Sequence, residues 1–136
     1  MKTDNNGNNN LSIATGGHED IPQAVKDISE LDYEKGLDYC GDPDDYLFAL
    51  ETYGESVAEK ADQLDKCLKE ERYDDYAMMM HSLKSMSRSI GAVGLSDMAK
   101  ELEQAAKSGD IKNQEEKAYS FIEQYRALGE KIAKVK

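Results

Sequence analysis

Apolar residues along this chain recur at alternating steps of three and four, the spacing that lines one face of an α-helix. Nowhere do they alternate as in a half-buried strand. Leu47, Leu50, Gly54, Val57, Ala61, Leu64 and Leu68 form one such stripe. Asp42-Pro43-Asp44-Asp45 suits the start of that helix: an Asp cap, Pro at the first helical position and acids in the first turn. Gly54 costs the helix about 1 kcal/mol relative to Ala and is expected to mark the close approach of another helix. Lys69 to Arg72 is a charged break, and a second helix is expected from about Tyr73, ending around Gly91-Ala92-Val93-Gly94. Ser96-Asp97 reads as the cap of a third helix lined by Met98, Ala99, Leu102, Ala105 and Ala106. After the Ser108-Gly109-Asp110 turn, Phe121, Ile122, Tyr125, Leu128, Ile132 and Val135 stripe a final helix.

Upstream, Leu31, Glu34-Lys35 and Leu37-Asp38 suit one short helix that stops near Gly41. Residues 1–20, rich in Asn and Gly with few apolar anchors, read as a flexible tail or linker, leaving 21–136 as the folded domain. Short connections make consecutive long helices antiparallel neighbours. The expected fold is all-α: an up-down-up-down four-helix bundle with a short additional N-terminal helix.

The second long helix carries the candidate chemistry. At about 100° per residue, Met79, Leu83, Met86 and Ile90 fall within about 40° of the side opposite His81. Met79 is then core filler, Met80 lies at the margin, and the imidazole is displayed to solvent. Lys84, Ser85, Arg88, Met78, Ala77 and Asp74 fall within about 60° of His81.

Composition narrows the partners. The chain carries 17 Lys and Arg against 28 Asp and Glu, a net charge of -11, which argues against nucleic acid and anionic membrane surfaces and suits a locally basic partner. No apolar run reaches the roughly 20 residues that span a bilayer, and the polar N-terminus is unlike a signal peptide, so a cytoplasmic location is expected. Cys40 and Cys67 sit at apolar helical positions and read as reduced thiols of a monomer. Together with His18 and His81 they are too few and too far apart for a metal site, so no metal and no cofactor is expected. His18, in the tail, is given no role.

A neutral imidazole is a competent nucleophile near pH 7. Lys84 and Arg88, one and two turns on, would disfavour the imidazolium and could hold a phosphoryl group by charge-assisted hydrogen bonds. The small residues Ala77, Ser82 and Ser85 leave room for another protein's active site, and Met78 offers an adaptable apolar docking contact. The sequence holds no Walker-type phosphate loop or Gly-rich nucleotide lid, and no nucleophilic triad can be argued from its spacing. It has one nucleophile and no machinery to make its own phosphoryl donor.

At these residues the sequence resembles the histidine-containing phosphotransfer (HPt) domains. The resemblance rests on His81-Ser82-Leu83-Lys84-Ser85, then Ile90-Gly91-Ala92, Leu95-Ser96 and the Ala99-Lys100-Glu101-Leu102-Glu103 helix. Gly36-Leu37-Asp38-Tyr39-Cys40-Gly41-Asp42 extends it upstream, so that it covers about residues 30 to 135. It implies that His81 accepts a phosphoryl group from an aspartyl phosphate on one response-regulator receiver domain and passes it to another. It implies that Lys84 is the cation beside that group and that position 85 is kept small for receiver docking, where Ser85 departs from the family's commoner glycine. The Mg²⁺ of the reaction belongs to the receiver. Related domains often end hybrid sensor histidine kinases, and the Asn-rich tail would then be a linker.

Two other readings compete. One is a helical-bundle binding module that docks a receiver or kinase domain without carrying phosphate. The other is an enzyme using His81 as general base, which would need a pocket and convergent polar groups that an exposed helix face does not offer.

Overall fold

The computed structural model describes residues 20–135. Four long helices make up most of it: α3 (Pro43–Lys69), α4 (Tyr73–Ser89), α5 (Val93–Ser108) and α6 (Glu115–Ala133). Two short ones precede them, α1 (Gln23–Lys26) and α2 (Tyr33–Cys40), and a 3₁₀ turn over Ile111–Gln114 leads into α6. The short N-terminal helix read from the sequence is α2, and α1 is a further helical turn set apart from it by residues 27–32. The tail expected over residues 1–20, with His18, lies outside the described residues except for Asp20.

Local chemistry sets the helix ends. The Asp42 carboxylate accepts the Asp45 N–H at 2.8 Å, Pro43 fills the first turn, and Asp44 and Asp45 face the positive end of the α3 dipole. At its other end Glu71 takes a left-handed φ of 56°, and the Arg72 N–H reaches back to the Cys67 carbonyl at 2.8 Å, turning the chain into α4. Gly91 closes α4 at φ 84°, with the Ala92 N–H on the Ser87 carbonyl at 2.8 Å. The third long helix starts earlier than Ser96-Asp97 suggests, at Val93, with no side chain capping it. Ser96 instead lies inside its first turn and turns inward: its buried hydroxyl donates to the Lys84 carbonyl at 2.8 Å, tying α5 to α4.

Cross-helix contacts fix the topology. Tyr46 and Tyr53 on α3 reach Ile90 and Ser87 on α4; Ser96 and Glu103 on α5 reach Lys84 and His81 on α4; Gly54 and Val57 on α3 meet Ile132 and Gly129 on α6. In each pair one number rises as the other falls, so neighbouring helices run antiparallel in an up-down-up-down bundle. Gly54 does mark a close approach: a Cβ there would stand 2.9 Å from the Ile132 Cγ2. Gly129 answers it from α6, where a Cβ would stand 2.8 Å from Val57.

The core is richer in tyrosine than the leucine stripe suggests. Tyr46, Tyr53, Tyr76 and Tyr125 are all fully buried, and Tyr46 takes the inward place expected for Leu47, which is only partly covered. The face of α3 is wider than a two-helix seam because it packs on both α4 and α6. Two tyrosines satisfy their hydroxyls across the bundle, Tyr46 on the Ile90 carbonyl at 2.9 Å and Tyr53 with the Ser87 hydroxyl at 2.8 Å. Both cysteines are free thiols. Burial pushes up the pKa of each; Cys67 lies in the core, and Cys40 is half-buried with its Sγ 3.5 Å from the Ser89 carbonyl.

Candidate functional site

Helix α4 is amphipathic, but its buried face is turned from the expected one. Tyr76, Ala77, Met80, Leu83, Ser87 and Ile90 face inward, while Met79 and Met86 are only partly covered. At about 100° per residue these inward positions centre roughly 125° from His81, not opposite it. The cause is that α4 packs most closely on α5, which draws the helix round towards its Lys84 side. Met80 is thus a core residue and Met79 a marginal one, the reverse of the expectation. Ala77 is buried too, so it leaves the set of docking residues.

His81 keeps its place in solvent, with its side chain 65% exposed. It is held from behind. The Nδ1 of its ring lies 2.9 Å from the Oε2 of Glu103 on α5, and Glu103 is only 5% exposed. A carboxylate can only accept, so the neutral ring carries its proton on Nδ1 and leaves the Nε2 lone pair bare. Glu103 is therefore the residue that fixes the tautomer and ring plane of His81.

The same carboxylate gathers the cations. Lys84 Nζ reaches Oε1 at 3.1 Å, and Lys107 Nζ reaches Oε2 at 2.8 Å. Burial by itself would push the Glu103 carboxyl up. Hydrogen bonds from Lys107, Lys84 and His81, with the charge of Lys84, outweigh that and hold its pKa down at about 2. Lys84, expected to be exposed, is 24% exposed, for the same reason that Ala77 is buried. It stands one turn from His81 on the α5 side, and its charge acts on the ring's surroundings through Glu103.

The open side of α4 holds the rest. Met78 is 71% exposed, and Ser82, Ser85 and Arg88 are exposed beside it. Around His81 there is consequently an exposed surface carrying the small Ser82 and Ser85 on one flank and a paired carboxylate on the other. Among the described residues no group of three His, Cys, Asp or Glu side chains is placed to hold a metal ion, and no helix is long and apolar enough to cross a membrane. One open groove, of about 770 Å³, runs from the α1–α2 connection to the start of α5 and is lined by none of the site residues.

Sequence reasoning missed Glu103 and Lys107 as site residues. The signal for Glu103 was there: Ala99, Glu103 and Ala106 follow the four-three spacing of the α5 core stripe, so an acid occupies an inward position. A buried acid is rare without a partner, and its partner is the histidine one helix away. Lys107 carries no comparable mark, because a lysine four residues after an acid is ordinary on a helix surface.

An all-helical bundle that presents an imidazole with a bare Nε2, backed by a buried carboxylate and two lysines, is an arrangement suited to nucleophilic attack by that nitrogen. The comparison with protein families agrees, since the Hpt domain model matches residues 49–134, and the chain belongs to that family. No curated protein and no solved structure matches the chain. The matched span includes His81, Lys84, Glu103 and Lys107 but not the upstream Gly36–Asp42 segment. Membership gives the chain a histidine phosphotransfer role in a two-component phosphorelay, as a carrier and not as a kinase, with receiver domains as its class of partner.

Proposed function

We propose that residues 21–136 are a cytoplasmic, monomeric relay module in which His81 takes a phosphoryl group from the aspartyl phosphate of one receiver domain and delivers it to the aspartate of a second. The observation that carries this reading is the pairing of a 65% exposed imidazole with a 5% exposed carboxylate on its Nδ1. In the step, the Nε2 lone pair attacks phosphorus, the bond between phosphorus and the aspartyl oxygen breaks, and the aspartate leaves with that electron pair. The Nδ1 proton stays in place, so the phosphorylated ring is a cation. Glu103 lies against that cation and stabilises the product as it forms. Delivery to the second receiver is the same step reversed.

Lys84 leaves Glu103 to pair with the incoming phosphoryl oxygens, and Arg88, on the same exposed face, adds long-range attraction. Met78, Ser82 and Ser85 form the surface on which the receiver sits, with the small serines keeping the approach open. The module holds no metal of its own; Mg²⁺ comes with the receiver. The test is transfer of label from a receiver domain phosphorylated with radiolabelled acetyl phosphate. Base-stable, acid-labile label is expected on the protein and none on H81Q. Label that persists on H81Q would reject the assignment. So would failure of the unsubstituted protein to take label from any receiver of its own genome, the outcome a phosphate-free docking module gives.

A further inference from the structure

The carboxylate behind His81 has more donors than it needs to orient a ring. Its Oε1 takes Lys84 at 3.1 Å, while its Oε2 is shared by the His81 Nδ1 at 2.9 Å and Lys107 Nζ at 2.8 Å. The two lysines come from different helices and differ in setting: Lys84 is 24% exposed on α4, Lys107 63% exposed on α5. Only Lys84 is on the histidine's own helix, one turn away, where a phosphoryl group on Nε2 would draw it off. Without Lys107, that movement would leave a carboxylate almost wholly out of water with the His81 ring as its one partner, and a buried charge short of partners is unfavourable. Glu103 would respond by taking up a proton or by turning away, and either response frees the His81 ring.

We propose that Lys107 is a positioning residue for phosphotransfer: it keeps Glu103 charged and in place while Lys84 exchanges the carboxylate for the phosphoryl oxygens. The role rests on His81 as the acceptor. No covalent bond changes beyond the transfer already described, and the Nδ1 proton stays between the ring and Oε2. The other charged groups on this face of the site are Asp74 and Arg88, two turns either side of His81 on α4, and Lys100, one turn before Glu103 on α5. None of the three has an ion pair with Glu103 among the described residues.

The experiment measures initial rates of label transfer from a phosphorylated receiver, over a range of receiver concentrations, for the unsubstituted protein, K107M, K107R, E103Q and the K107M/E103Q pair. K107M should lower the rate at saturating receiver by roughly three- to tenfold, as befits a mostly exposed partner of a buried charge. The receiver concentration giving half the maximal rate should stay unchanged, because Lys107 acts on the transfer step and not on docking. K107R should come within about twofold of the unsubstituted protein. In the E103Q background, where the ring keeps a neutral acceptor that needs no counter-charge, K107M should change the rate by less than about twofold. An unchanged rate in K107M, or a full K107M effect that persists in E103Q, would overturn the role while leaving His81 as acceptor. A change in the half-saturating concentration alone would overturn it too, making Lys107 a docking residue. Absence of label on the unsubstituted protein would overturn the acceptor assignment and this role with it.

Discussion

Replacing Glu103 with Gln removes the charge at the centre of the site, since the amide has nearly the same shape but is neutral and exchanges one acceptor oxygen for an NH2 donor. In the folded protein the carboxyl titrates at about 2, against an ordinary value of 4.5. At about 1.4 kcal/mol per pH unit, the difference stabilises the folded state by about 3 kcal/mol at neutral pH. Two of the three donors, His81 and Lys107, are mostly exposed and screened by water, which lowers the net figure to about 2 kcal/mol. Because the folded pKa is the depressed one, this stability is present in full above about pH 5 and is lost as the pH falls through about 2. Urea unfolding of both proteins, followed by far-ultraviolet circular dichroism at pH 7, 5, 3 and 2, reads the difference directly. Glu30 and Asp110, whose pKa values are also lowered, titrate in both proteins and cancel. At pH 7 E103Q should unfold at a urea concentration lower by about 1 M, with the same slope. The gap should hold from pH 7 to 5 and narrow steadily below it. Equal midpoints at pH 7, or a gap that does not narrow by pH 2, would show that Glu103 is not held as a stabilised buried anion.

Two further perturbations test the scaffold and the docking face. G91A places a Cβ 2.1 Å from the Asp32 carbonyl oxygen at a φ of 84°, so the Asp32 N–H to Gly91 carbonyl bond must break; a loss of about 3 kcal/mol is expected in urea unfolding, and a loss under 1 kcal/mol would contradict the close packing of α2 on the end of α4. S85Y puts a ring one turn from His81 on the exposed face, and should slow label transfer from a receiver at least tenfold while moving stability by no more than about 0.5 kcal/mol; an unimpaired rate would place the receiver elsewhere on the bundle.

Much of this molecule was legible in the order of its residues. The Asp42-Pro43 start, the stop at Gly91, the packing of Gly54 and the four long helices all follow from local rules: a cap, a fixed φ, a missing Cβ, a 3.6-residue period. His81 in solvent followed from the same period. Periodicity sets the rotation of a helix only to within about 60°, however. It could not say whether α4 buries Met79 or Met80, because that depends on the side from which the neighbouring helix arrives. Ser96 misled for a related reason: a serine that suits a helix cap also suits a buried bond to a carbonyl, and only the position of Lys84 across the interface settles which.

The chain alone therefore determined the helices, their order and the exposure of one nucleophile, since each is decided among residues a few places apart. Tertiary structure decided how that nucleophile is equipped. Glu103 lies 22 residues from His81 and 19 from Lys84 along the chain, and it becomes their partner only because α4 and α5 pack antiparallel in a register set by the turn at Gly91. Which nitrogen of the ring bears the proton, and which lysine waits on which oxygen, are properties of that packing: a carboxylate is an orienting group only where a fold brings it within hydrogen-bond reach.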